Sequence, residues 1–426
     1  MRRVFSILCL PLLFFILSLS GSGICYGQDY QTHQEALEQI AARTKWRLGP
    51  FQISSAIQFR DIGYDSNVYY DQKANHPVPD YTATISSQLN LYFHYRDLLI
   101  FSFSENPEYL LYVNEKRERA FNNSYSPSIR LLLFHRFVIS GNYQYRKAKV
   151  RASSEFDLRA EEEVEGYNGG FFYETPRGNS IGFSGAIRRL SYQDIASRSK
   201  EIDLSRILNH EERSGQVELN YKIFSGSLFF MKFGYSEYTF QHMRSRWKDS
   251  FSFQASGGLR LPYSGKTRGF LSLGYKMFNP RRTWIDGFQG LIANLSLEYR
   301  LRRIIFRLQS TRDCNLSFET NNVFYLENGI QAGLSYYLTK FLRLDYNYSY
   351  TQLDYPQPVP FWYSDGRYEE FKRKDYNYSQ TASFLFRILK DSGIGLMLNY
   401  LDRNSNVFWE SRRERWLVSV YATQGF

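Results

Sequence analysis

Catalysis needs groups that can move a proton, hold a metal or attack a carbon at workable spacing, and this 426-residue sequence offers few. The six histidines are His33, His76, His94, His135, His210 and His242. None has a second histidine at metal-ligand spacing. Cys9 and Cys25 fall in the leading segment, which leaves Cys314. It reads as a loop residue, and one cysteine cannot staple a fold. His210-Glu211-Glu212 with Asp203 has the residue types of acid–base work. A charge block in a connection is more simply a solvated run. No Gly-rich phosphate loop and no nucleophile elbow occurs. The expectation is therefore no enzyme, no cofactor and no metal.

What does recur is charge at alternating positions. Arg60, Arg130, Arg146, Lys222, Lys232, Arg260, Lys276, Arg300, Arg307, Arg343 and Arg387 fall on the polar face of their segments. The acidic residues of that face are fewer: Glu218, Glu298, Glu327 and Asp345. Rings of Arg and Lys favour anions in pores. This pattern predicts a polar, mildly anion-favouring passage for hydrated solutes. Long basic side chains can also snorkel to a membrane edge and pair with carboxylates or lipid phosphates. The residue types alone leave both readings open. The net charge of +11 is spread over many turns and loops, with no compact patch or helix to read a groove. No nucleic-acid partner is expected; anionic lipopolysaccharide or a charged polymer is the simpler counterpart.

The elements that place these charges are strands. Aromatic residues make up 18% of the chain, with 35 Tyr and 35 Phe. After residue 30 no apolar run approaches the roughly 18 residues that a spanning helix needs. From Phe51 onward the hydrophobic pattern has period two. Tyr81, Ala83, Ile85, Leu89, Leu91, Phe93 and Tyr95 share one face; Thr82, Thr84, Ser86, Gln88, Asn90 and His94 share the other. Strands send alternate side chains to opposite faces. Eighteen such segments run from 51–60 and 81–95 to 394–402 and 415–426. Short turns, as at Arg96-Asp97, His135-Arg136 and Arg302-Arg303, alternate with long polar connections such as 61–80, 191–212 and 352–374. An apolar outer face, a polar inner face, aromatic belts and this alternation predict an all-β fold. It is a transmembrane antiparallel up-and-down β-barrel of about 18 strands, with short periplasmic turns and long extracellular loops.

Before the barrel the chain divides in two. Arg2 and Arg3, an apolar stretch from Val4 to Leu19 and small residues up to Gly27 read as a signal peptide over residues 1–27. Cys25 admits a lipoprotein signal, but Ile24 stands where a small residue is expected. Residues 28–48 read as a short periplasmic segment, with helical spacing over 31–46. A lead-in outside the barrel and a small insert into the pore both fit, the lead-in being the plainer. The barrel is expected over 49–426.

Two motifs carry a resemblance. The last segment ends on Phe426, which resembles the C-terminal signature that the barrel-assembly machinery reads in bacterial outer-membrane proteins. Tyr64-Asp65-Ser66-Asn67-Val68-Tyr69 resembles a motif of a family of porin-like bacterial outer-membrane β-barrels, some encoded in exopolysaccharide gene clusters. The resemblance implies an outer-membrane location and lipid, lipopolysaccharide and assembly-machinery partners. It leaves the solute and the oligomeric state open. Asp65 and Asn67 also suit a turn by their own chemistry. Beside the channel reading stand a passage for exported polysaccharide and a non-conducting barrel acting through its extracellular loops. A large gated importer is not expected, because no plug domain is read before the barrel and 22 strands are usual there.

Overall fold

The computed structural model describes residues 32–151, 155, 159–193, 195–196, 201–202, 204–224, 226–261, 265–319, 321–362, 367–389, 391–407 and 412–425. The segment read as a signal peptide, Asp203 and Phe426 lie outside the described residues.

Eighteen strands form the barrel, with the three residues Trp46–Leu48 paired to the start of the first. They are β1 (Phe51–Asp65), β2 (Asp80–Tyr95), β3 (Leu99–Glu105 and Glu108–Tyr112), β4 (Ala120–Leu133), β5 (Phe137–Arg151) and β6 (Arg159–Glu174). There follow β7 (Ser180–Tyr192), β8 (His210–Phe224), β9 (Ser227–Phe240), β10 (Ser250–Leu261), β11 (Thr267–Pro280) and β12 (Phe288–Leu301). The last are β13 (Ile304–Leu316), β14 (Phe324–Tyr337), β15 (Leu342–Asp354), β16 (Lys374–Leu389), β17 (Ser392–Ser405) and β18 (Arg413–Gly425). Each pairs antiparallel with the next, so every connection is a hairpin. The break in β3 falls at Pro107, which has no N–H to give the ladder. Its carbonyl still accepts from Ser87 N–H at 3.0 Å, which keeps the register.

The sheet closes on itself where β1 meets β18, with Ala56 opposite Gly425 and Asp65 opposite Leu417. A bulge interrupts this seam between Phe59 and Ile62, and Asp61 there has φ 53°. Bulges bend a strand and raise its twist, as closure requires. Gly63 sits at the bulge with Val418 O where a side chain would start, since a Cβ would lie 1.9 Å from that oxygen. Only glycine fits.

The barrel is oily outside. Phe183, Phe233, Phe253, Leu273, Leu291, Leu396 and Val418 stand exposed on its outer wall. A water-soluble sheet would bury such a face against a second layer; a membrane supplies hydrocarbon instead. Near the long-loop end, Tyr125, Tyr143, Tyr145 and Tyr167 form one ring-to-ring cluster, Tyr350 meets Tyr378, and Tyr400 meets Trp416. Near the short-turn end Phe51, Tyr95, Tyr221, Tyr299 and Phe386 are exposed. Amphipathic rings at two levels mark the two interfaces of a bilayer.

Strands extend past the long-loop belt further than their hydrophobic pattern does. β6 starts at Arg159 and β8 at His210, where a loop was expected. Alternation of apolar residues stops at the edge of the oil, whereas the hydrogen-bond ladder does not. Outward positions there hold paired charges such as Arg189 with Glu211 at 2.8 Å.

A dry core fills the inner side of the same end. Val164, Leu190, Tyr238, Phe240, Phe278, Leu316 and Phe324 point inward from the strands. They pack against Leu204 and Leu208 of a short helix and against Phe318 and Val323 of the β13–β14 loop. Cys314 is a fully buried member of this core, not a loop residue. His210 is also fully buried. It stacks on Phe240, places Nδ1 2.5 Å from Leu208 O and faces Glu212 Oε1 from Nε2 at 3.3 Å. The sequence reading of a solvated run fails for His210 and Glu212, because the strand turns those alternate residues into the packed mouth.

Candidate functional site

The inward face carries the charges. Exposed residues on either side fix the direction: Phe59 faces out beside Arg60, Ile129 beside Arg130, and Tyr299 beside Arg300. The same reading places Lys222 beside Tyr221, Lys276 beside Tyr275 and Met277, and Arg307 beside Phe306 and Leu308. These six charged residues therefore lie on the face turned away from the exposed apolar wall.

Three of the basic residues expected on the polar face are held by acids that the sequence did not identify, and others by acids that it did. Arg60 pairs with Glu108 and Arg146 with Glu162. Lys276 is buried between Asp313 Oδ1 at 2.9 Å and the Cys314 carbonyl at 2.6 Å. Lys232 stands 3.9 Å from Glu218, and Arg343 bonds Asp345 at 2.7 Å. Asn315 Nδ2 donates to Glu327 at 2.8 Å. Lys232 and Glu218 are directly opposite on neighbouring strands, where opposite signs attract, whereas Arg343 and Asp345 are two residues apart on one strand.

Toward the short-turn mouth the balance turns positive. Glu298 is shared by three guanidiniums: Arg268 at 2.7 Å, Arg300 at 2.9 Å and Arg307 at 3.4 Å. One carboxylate cannot neutralise three. Arg260 lies at the same level with its guanidinium 5.8 Å from the Phe230 ring centroid. Lys222 and Arg387 point inward near their turns and have no ion-pair partner among the described residues. Arg268 is the one member of this belt that the sequence reading left out. It sits at the strand entrance, where the turn hides the alternation.

A helix crosses this mouth. α1 (His33–Arg43) begins with a capping box in which Thr32 accepts from Glu35 N–H and the Glu35 carboxylate accepts from Thr32 N–H. Its first turn is tied to one wall: His33 N–H donates to Glu174 Oε1 at 3.0 Å, and Arg130 donates to the Thr32 carbonyl at 3.4 Å. Its far end is tied to another: Thr44 Oγ1 donates to the inward Gln52 at 2.5 Å, and Lys45 pairs with Asp391 at 2.7 Å. His33 is buried, and that burial together with the Arg130 charge lowers its pKa.

The Asp65–Asn67 motif shapes the chain locally. Asp65 accepts Asn67 N–H at 3.0 Å and both Nε and Nη2 of Arg415, at 2.9 and 2.6 Å. Ser66 Oγ accepts from Trp416 N–H at 2.7 Å. Asn67 Nδ2 donates to the Asp71 and Glu414 carbonyls, both at 2.9 Å, and Val68 N–H bonds Val78 O at 2.9 Å. The motif therefore ties the end of β1 to β18 and folds the loop that follows. The side-chain polar atoms of Asp65, Ser66 and Asn67 are all used within the protein.

The connection 352–374 packs on its neighbour. Tyr355 is buried against Tyr325 and Leu353, and Gln357 N–H donates to Asn322 Oδ1 at 2.9 Å. Beyond it, Val359–Trp362 and Tyr368–Phe371 form a small hairpin. Among the described residues no cluster of His, Cys, Asp and Glu could hold a metal, and no helix is long and apolar enough to cross a membrane.

The family model described as "Putative beta-barrel porin 2" matches residues 45–424. No curated protein sequence matches the chain. Among solved structures, the outer membrane protein opdK of Pseudomonas aeruginosa is similar at 9% identity, with 88% of this chain and 98% of that chain covered and a TM-score of 0.48. OccK3 (OpdO) of the same organism matches at 10% identity, over 92% and 98%, with a TM-score of 0.47. The siderophore receptor PirA of Pseudomonas aeruginosa matches at 10% identity, over 90% and 81%, with a TM-score of 0.45.

Proposed function

Since the chain belongs to this family of β-barrel porins, it is a porin-like barrel of the bacterial outer membrane and not an enzyme, and we propose that its lumen conducts small hydrated solutes with a preference for anions. The observation that supports the preference is the sharing of Glu298 among Arg268, Arg300 and Arg307, with Lys222, Arg260 and Arg387 at the same mouth. Positive charge on a low-dielectric wall raises the local concentration of anions and repels cations. The outer wall meets lipid, and its charged rim toward the long loops meets the phosphates of lipopolysaccharide.

The test is a reversal potential. Full-length protein refolded into a planar bilayer under a KCl gradient should reverse on the chloride side of zero. The double variant Lys222→Glu/Arg387→Glu should move that potential toward potassium. A cation-selective wild-type channel rejects the proposal.

A second reading has its own observation. The packed core at the long-loop mouth and α1 at the other narrow both ends, which suits a barrel that acts through its loops without conducting. An absence of single-channel currents from correctly folded protein would favour it.

A further inference from the structure

Glu155 does something that neither the barrel nor conduction requires. It belongs to the β5–β6 connection, yet its carboxylate docks on the β13–β14 connection, nearly half-way round the barrel. Ser317 Oγ donates to Oε1 at 2.6 Å and Phe318 N–H donates to Oε2 at 2.7 Å. Both donors are buried, and Ser317 is fully so.

Three cations converge on this place. Arg373 and Arg403 both bond Asp375, at 2.8 and 2.7 Å, so two guanidiniums share one carboxylate. Arg403 also reaches the Glu155 carbonyl at 3.4 Å. Lys248 is buried and spends its ammonium on the carbonyls of Ser317 and Glu319. Tyr355 adds a hydroxyl that is buried and finds no hydrogen-bond partner among the described residues. Arg373 lies 5.1 Å from the centroid of its ring.

With the Glu155 carboxylate set aside, three cations against Asp375 and Glu319 leave this buried cluster one net positive charge, and with one fixed N–H and one fixed O–H it offers what a carboxylate needs to leave water. A loop clamp alone gains little from such chemistry, because apolar packing of the same volume holds as well without the desolvation cost. We propose that this socket is a carboxylate-binding site for anionic solutes at the extracellular mouth, with the Glu155 side chain as its built-in occupant. A solute carboxylate enters by displacing Glu155 and takes over the Ser317 and Phe318 donors. Neutral solutes have nothing to exchange. The site stands apart from the basic belt at the periplasmic mouth and does not depend on current through the barrel.

The test uses full-length refolded protein in detergent, with acetate as the probe, because Glu155→Ala leaves room for an acetate-sized carboxylate. Thermal unfolding is followed by tryptophan fluorescence at constant ionic strength. Glu155→Ala should gain stability saturably with acetate, half-maximally at about a tenfold lower concentration than wild type, which no longer has to lose its own hydrogen-bonded occupant. Acetamide should have no effect. Adding Ser317→Ala should weaken the response severalfold. Equal responses in wild type and Glu155→Ala, an equal response to acetamide, or indifference to Ser317→Ala would each overturn the proposal. If Glu155→Ala does not refold, Glu155→Gln is titrated in its place and must show the same ranking. No current is measured, so failure here leaves anion conduction standing, and a cation-selective channel leaves the socket standing.

Discussion

Lys248 shows how the packed mouth acts on a single group. It lies in the turn Met243–Lys248, and burial drives its pKa from 10.5 down to about 8, against the opposing pull of Glu155 and Glu319. The folded protein therefore gives up this proton at lower pH than the unfolded chain does. Between about pH 8 and the ordinary lysine range the unfolded state holds the extra proton, so stability rises with pH there. Below about pH 8 the cost of the buried charge is present in full. Measured against Lys248→Met, the wild-type unfolding free energy should climb by up to about 1.4 kcal/mol per pH unit across that window. A flat difference between the two proteins would show that the ammonium is solvated.

At the scale of elements, α1 is the part whose role the geometry sharpens most. It is anchored at both ends by hydrogen bonds to residues of two strands, β6 and β1, and its capping box fixes where it starts. A helix held across a mouth takes cross-section from the passage. Deleting residues 32–45 should raise single-channel conductance while leaving the heat-stable gel mobility of the barrel in place. An unchanged conductance would place the helix outside the ion path. The strands themselves were legible in the sequence. Period two gave their number, their order and their outer faces, because the membrane imposes one rule at every step. The face of charges such as Arg60, Lys222, Lys276 and Arg300 was legible for the same reason, since each alternates with exposed apolar neighbours. Their partners were not: Glu108, Glu162 and Asp313 sit where the apolar pattern has already ended. Glu155, Lys248, Arg373 and Arg403 were less visible still. Each belongs to a connection or a strand end, and contacts across a mouth leave no periodicity in the chain.

The whole molecule is a wall between two solvents, and position within it sets what a substitution costs. Leu273 sits midway along β11 and is exposed to lipid. Leu273→Arg should destabilise the barrel by about 2–4 kcal/mol in lipid vesicles, whereas Tyr299→Arg at the short-turn rim should cost no more than about 1 kcal/mol. Equal costs at both depths would mean that the outer wall is not immersed as described. The oily outer wall and the polar interior also give the chain one way to be stable. Outside lipid or detergent its largest exposed surface would be hydrocarbon.

The seam between β1 and β18 sets the order of events during biogenesis. Seventeen of the strand neighbours are joined by a hairpin and can meet as soon as both are made, but this one joins residues such as Asp65 and Arg415, 350 positions apart. Bringing such distant partners together carries the largest loop-closure entropy in the molecule. The cylinder can be sealed only after the final segment has emerged, so until then one edge at each end lies open. Newborn chains must be sheltered through that interval. The glycine, the bulge and the Arg415–Asp65 clasp all lie at that seam, where the two ends of the chain are joined.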